Sequence, residues 1–290
     1  ARMIYTVTLN PAIDYVVFTD RLQPGQINRS RKESFFCGGK GINVSMVLKE
    51  LDVPSVSMGF VAGFTGAAIA RGVEEAGIAT DFICLKNGFS RINVKMKEEN
   101  HTETDLNGSG PEIPEEAVEE LLAKFSKLRK GDMVVLAGSI PGSLPPDIYE
   151  RILQKLECTG VKAVVDATGE LLRRVLKYKP FMVKPNHLEL GEFFGTSLAG
   201  AEEIRRYGKK LQEMGNVCIS MAEAGAIFLG ENGEDFYCKA PAGVVINSVG
   251  AGDSLVAGIL AGLCSAEGGE EASSEVLREA LCLGVAAGSA

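Results

Sequence analysis

Asp253 lies within "NSVGAGDSLVAGILAGL" (247–263), where small residues and two glycines lead into an apolar stretch long enough for a helix. A helix N-terminus presents unpaired N–H groups and the positive end of its dipole, so this turn suits a phosphate. Gly250, Ala251 and Gly252 permit a tight turn whose N–H groups converge on negative charge. An aspartate at that place is either the helix N-cap or a base acting on a group beside the anion. Taken singly, the cap is the favoured reading.

Other polar residues fall where chemistry would need them. "MVVLAGS" ends in Ser139, "FMVKPN" ends in Lys184 and Asn186, and "VCIS" ends in Ser220. Each follows an apolar strand-like run, and open α/β sheets bind ligands at the C-terminal ends of their strands. Asn186 and Glu189, three apart, would share a helix face and hold a hydrated Mg²⁺ through its waters. A solvated helix start is the alternative. "CGGKGINVS" (37–45) precedes a helix but matches neither G-x-x-x-x-G-K-[ST] nor a dinucleotide fingerprint. Its glycines allow close backbone approach, and Lys40 and Asn43 offer a cation and a bidentate amide, although a plain turn explains it as well. Phosphoryl transfer would employ all these parts: a phosphate cradle, a metal, an acceptor clamp and a group to take the hydroxyl proton.

The elements that must position these residues alternate. Strand-like "IYTVTL" (4–9), "SVSMGFV" (55–61), "DMVVLAGS" (132–139), "KAVVDAT" (162–168), "FMVKPN" (181–186) and "NVCISMA" (216–222) are interleaved with helical patterns. Among the latter are "GINVSMVLKELD" (41–52), "GAAIARGVEEAG" (66–77) and "AEEIRRYGKKLQEMG" (201–215). That rhythm predicts a parallel sheet covered by helices on both faces. Residues 12–37 and 81–107 break it with alternating polar and apolar residues, and are expected to form hairpins of a small added sheet that could cover a ligand.

Composition narrows the classes. The 290 residues suffice for one large α/β domain or two modest ones. A net charge of −8 argues against a nucleic-acid surface but not against small anions, for which a few local cations suffice. Seven scattered cysteines without a C-x-x-C pair are expected as reduced thiols of a cytoplasmic protein. Two histidines, His101 and His187, are too few and too far apart for a His-rich metal site. Arg2 leads straight into a strand-like run, and the longest apolar run, within 255–264, is too short to span a membrane, so no membrane partner is expected. The sequence ends at Ala290 in a helix-like pattern with no stop signal, as a truncated chain would.

"NSVGAGDSLVAGIL" and "GGKGINVS", with "YTVTLNPAIDYVV", "GFVAGFTG", "SRINVK", "VVLAGSIPGSLP" and "VKPNHLELGEFFG", resemble the ribokinase/phosphofructokinase-B family of sugar kinases over nearly the whole chain, and its phosphosugar branch in particular. The resemblance implies a three-layer α/β/α core with a mostly parallel sheet, a β lid, ATP and Mg²⁺. It implies phosphorylation of the 6-hydroxyl of fructose 1-phosphate, with tagatose 6-phosphate or fructose 6-phosphate as the alternative acceptors. Asp253 aligns with the catalytic base, and Gly250, Ala251 and Gly252 with the anion hole. Asp14, Gly38, Gly39 and Asn43 align with groups that hold sugar hydroxyls, and Arg29, Lys40, Arg91 and Ser139 with a phosphate clamp. Lys184, Asn186, Glu189, Ser220 and Gly225 align with the nucleotide and Mg²⁺ side, and Ser248 with the adenine-side segment. A homodimer through the lid is also implied.

The chain departs from the family pattern at Asp52, Ala62 and Ala222, each standing where relatives often have glycine. Ala222 bears on how closely a nucleotide loop approaches ATP, and the family's further C-terminal segment usually helps close the adenine pocket. Two other classes fit the sequence less well. An NAD-dependent oxidoreductase would need G-x-G-x-x-G after the first strand, which is missing. A non-catalytic phosphosugar sensor would have no need of the aspartate.

Overall fold

The alternating pattern is realised as a three-layer α/β/α core in the computed structural model, which describes residues 2–100, 102–243, 249–265 and 272–290. In chain order the strands are β1 (Ile4–Thr8), β2 (Ala12–Thr19), β3 (Lys32–Gly38), β4 (Ser55–Ala62), β5 (Ala79–Leu85), β6 (Arg91–Glu98) and β7 (Glu103–Asn107). They continue with β8 (Met133–Ala137), β9 (Lys162–Asp166), β10 (Met182–Val183), β11 (Asn216–Ser220), β12 (Ala226–Leu229) and β13 (Asp235–Cys238). The helices are α1 (Lys40–Glu50), α2 (Gly63–Glu75), α3 (Glu115–Phe125), α4 (Ile148–Leu156), α5 (Gly169–Leu176), α6 (His187–Phe194), α7 (Gly200–Gln212), α8 (Ala251–Ser265) and α9 (Ser274–Ala287).

Among the described residues the main sheet runs β13-β12-β11-β10-β9-β8-β1-β4-β5. The strands from β11 to β5 are parallel, and β12 and β13 extend the sheet as an antiparallel hairpin. The chain works outward from β1 through β4 to β5, then continues on the other side through β8, β9 and β10. Strand order therefore reverses between β1 and β8, and a ligand crevice opens at their C-terminal ends. Helices α3 to α7 bury Leu121, Tyr149, Val175, Leu190 and Ile204 against one face. Val44 and Leu48 of α1, with the apolar lengths of α8 and α9, cover the other. The strands read as continuous apolar runs because both faces are dry.

The small sheet has the order β3-β2-β6-β7, with β2 parallel to β6 and antiparallel to β3. The expected hairpin at 12–37 is found. The segment 81–107 is corrected: its first strand, β5, pairs with β4 in the main sheet, and only β6 and β7 join the small one. The cause is that β5 is an edge strand covered on one face, so its residues alternate as lid strands do. No described helix is long and apolar enough to cross a membrane.

Candidate active site

Asp253 is the third residue of α8, inside its first turn rather than at the N-cap. The N–H groups of that turn have no partner within the helix and remain available to an anion. Gly250, at φ +84, makes the turn that precedes them. The Asp253 carboxylate is only 6% exposed, and Asn43 Nδ2 donates to its Oδ2 at 2.9 Å. Burial raises its pKa, Asn43 opposes the rise, Asp166 adds to it, and Lys40 and Lys184 pull it down.

Beside it lies an ion cluster built around Asp166, at the end of β9 and 3% exposed. Lys40 Nζ stands 3.1 Å from Asp166 Oδ2, and Lys184 Nζ stands 3.3 Å from Oδ1 without hydrogen-bond geometry. Burial draws the Lys40 ammonium down, but Asp166, Asp253 and Glu189 outweigh it and raise the pKa. Lys40, Ser139, Asp166 and Glu189 line one cleft of about 780 Å³. Gly252 belongs to the same neighbourhood, since a Cβ added there would meet Lys184 Nζ at 3.3 Å. In the sequence Asp166 is one polar residue within the strand-like run 162–168. The signal available is a polar residue closing an apolar run, the one that singles out Ser139 and Ser220.

The glycine-rich turn packs against the protein itself. A Cβ on Gly38 would lie 2.3 Å from Asp14 Oδ2, and one on Gly39 would lie 2.4 Å from Thr8 Cγ2. Thr8 Oγ1 also accepts from the Ile42 N–H, anchoring the start of α1. Asp14 Oδ1 accepts from Asn93 Nδ2 at 2.8 Å. Arg91 Nε donates to the Asn10 carbonyl at 3.0 Å, leaving the outer guanidinium nitrogens free to bind elsewhere. Burial lowers the Arg91 pKa and Asp14 opposes that.

Arg29 is not brought to this cleft. Its carbonyl accepts from Thr19 Oγ1, at the opposite end of β2 from Ala12. Ala12 is the residue paired with Gly38 and Arg91. At ~3.3 Å per residue the two ends of β2 are about 23 Å apart.

On the nucleotide side, Asn186, Ser220, Gly225, Ala251 and Gly252 line a second cavity of about 270 Å³, joined by Ser289 from beyond α9. Asn186 caps α6 in a capping box: its side chain accepts from the Leu188 and Glu189 N–H groups, and its own N–H donates to Glu189 Oε2 at 2.8 Å. Asn186 thus caps α6, and Glu189 lines the larger cleft. Among the described residues no group of three or more His, Cys, Asp or Glu side chains stands together as a metal site. Ser248 lies outside the described residues. Ala222 has φ 49 and Asp52 φ 57, left-handed backbone that glycine adopts more readily, whereas Ala62 is extended at φ −146.

Comparison with known proteins follows the same lines. The model of the pfkB family carbohydrate kinases matches residues 5–290. The 1-phosphofructokinase of Bacillus subtilis is 47% identical over 290 residues, covering 99% of this chain and 92% of that protein. The D-tagatose-1-phosphate kinase of Bacillus licheniformis is 35% identical, covering 88% and 84%. A crystal structure from Staphylococcus aureus, described provisionally as a phosphofructokinase, superposes with a TM-score of 0.85 at 40% identity, covering 99% and 92%.

Proposed function

The chain belongs to the pfkB family of carbohydrate kinases, and from that premise we propose that it transfers the γ-phosphoryl group of ATP to D-fructose 1-phosphate, giving D-fructose 1,6-bisphosphate and ADP. The observation that carries the reading is the pairing of a buried carboxylate, Asp253, with the free N–H groups of its own helical turn. Asp253 Oδ1 accepts the proton of the sugar hydroxyl while Asn43 holds Oδ2. The N–H groups of Ala251 and Gly252 receive charge on the transferred phosphoryl group. Lys184 adds a cation beside Gly252. Asp14, Gly38, Gly39 and Asn43 hold sugar hydroxyls, and Lys40, Arg91 and Ser139 hold the phosphate already present. Asn186, Ser220 and Gly225 border the nucleotide.

Mg²⁺ fits as a hydrated ion: two carboxylates, Asp166 with its unbonded Oδ1 and Glu189, would hold it through water while ATP phosphates supply other ligands. When bound, it neutralises phosphate charge. The acceptor assignment draws on the Bacillus subtilis relative, and D-tagatose 1-phosphate is a second acceptor favoured by the Bacillus licheniformis one.

A second copy completes the assembly. Phe35 on β3 and Leu106 on β7, the two edge strands of the small sheet, share one face in the row Phe35–Tyr15–Val94–Leu106 and are each more than half exposed. Packing two lids together covers them, and it gives Arg29 a route to the partner's sugar phosphate that its position in one chain denies.

Asp253→Asn tests the base. Turnover is expected to fall by about 10³-fold or more, with sugar and nucleotide binding kept and the melting temperature equal or higher, since a buried charge is removed. A variant with near-normal kcat would show that Asp253 is not the base.

A further inference from the structure

Asn93 lies on β6, directly across from Asp14 of β2 in the parallel pairing. It is 8% exposed. A carboxylate only accepts, so the amide must turn Nδ2 toward Asp14, which it does at 2.8 Å. Its other half is then committed: Asn93 Oδ1 is buried with no hydrogen-bond partner. A buried amide with one half unpaired is a poor choice for stability. What the amide accomplishes is the restraint of Asp14. One carboxylate oxygen is held by Asn93, and the other lies over Gly38, where no side chain larger than hydrogen fits.

We propose that Asn93 is a positioning residue for the sugar, fixing the Asp14 carboxylate in the orientation that receives a ketose hydroxyl. This rests on the reading of Asp14 as a sugar-holding residue. Asn93 itself is closed to solvent at Oδ1 and acts through Asp14, so its loss loosens sugar binding and leaves ATP binding and the base alone.

Asn93→Asp supplies a readout that a packing role would not move. The substitution keeps the shape but sets two carboxylates together, and such a pair retains a proton to higher pH than either alone. Other charges facing the pair are Arg91 and Lys95 on β6, both electrostatically coupled to Asp14, with Asp105 of β7 paired to Lys95. With one proton held, the new carboxylic acid donates to Asp14 as the amide did. Without it, the pair repels.

Steady-state kinetics on the full chain with fructose 1-phosphate and ATP, between pH 6 and 8.5, test this alongside Asn93→Ala and Asp14→Asn. Asn93→Ala is expected to raise the sugar KM about tenfold or more at every pH, with the ATP KM and kcat little changed. Asn93→Asp is expected to show a comparable rise at pH 8.5 that shrinks several-fold toward pH 6, while the unmodified protein shows no such recovery. A sugar KM for Asn93→Ala within about twofold of normal, with Asp14→Asn still impaired, overturns the proposal. So does an Asn93→Asp defect that does not recover at low pH, which remains decisive if Asn93→Ala fails to fold. An unchanged sugar KM in Asp14→Asn would instead overturn the reading of Asp14.

Discussion

At Asp253 burial and hydrogen bonding pull in opposite directions, and the pH dependence follows from their sum. Burial raises the carboxyl pKa, and Asn43 favours the ionised form and lowers it. A base must be ionised to accept a proton, so kcat is expected to fall on the acid side with a midpoint above the ordinary aspartate value of about 4. Asn43→Ala removes the opposing hydrogen bond, so the limb should move to higher pH; a shift to lower pH would reverse the assignment of forces. A second residue-scale consequence concerns Ala222, held at φ 49 in the turn beside the nucleotide cavity. Left-handed backbone costs an alanine ~1 kcal/mol, which glycine does not incur. Ala222→Gly is therefore expected to stabilise the protein by up to about 1 kcal/mol in urea denaturation, offset by glycine's larger unfolded-state entropy. Because the loop already follows the path glycine would take, the ATP KM should stay near its starting value.

Among the elements, α8 and α9 decide how firmly the anion-binding turn is held. They meet backbone to backbone: a Cβ on Gly258 would lie 2.6 Å from Gly284 Cα, and one on Gly288 would lie 2.9 Å from the Ala251 carbonyl oxygen. Val285, Gly288 and Ser289 at the end of α9 also line the nucleotide cavity. Gly258→Ala forces the helices apart, at an expected loss of about 1–3 kcal/mol in unfolding free energy. Its kinetic mark should be a larger rise in the ATP KM than in the sugar KM; equal rises would mean that α9 does not shape the nucleotide side. The start of α8 was legible in sequence because glycines, aspartate and an apolar run announce it locally. Asp166 was not, since its role exists only when Lys40 and Lys184, distant in the chain, converge on it. Asn93 is illegible for the same reason, being one polar position in an alternating strand until β2 lies beside it. The membership of β5 was hidden because alternation reports one covered face and not which sheet supplies it.

On the scale of the whole molecule, the alternating order of strands and helices sufficed to read the three-layer core, since each βαβ step is local and its handedness is constrained. The reach of Arg29 was not readable, because it depends on the length and direction of β2. If two lids pack together, the protein sediments as a dimer, and Phe35→Glu at the exposed edge should convert it to monomers with weaker sugar binding. Mixing Arg29→Ala with Asp253→Asn chains should then restore part of the activity, since hybrid dimers contain one site with both groups. The central claim, that the ring of groups around Asp253 phosphorylates a ketose 1-phosphate, is tested most directly by ATP-dependent turnover on a panel of phosphosugars with product identification. Fructose 1,6-bisphosphate is expected from fructose 1-phosphate, at a kcat/KM at least about tenfold above that for fructose 6-phosphate or tagatose 6-phosphate. Equal turnover on fructose 6-phosphate, or no transfer to any phosphosugar, would contradict it.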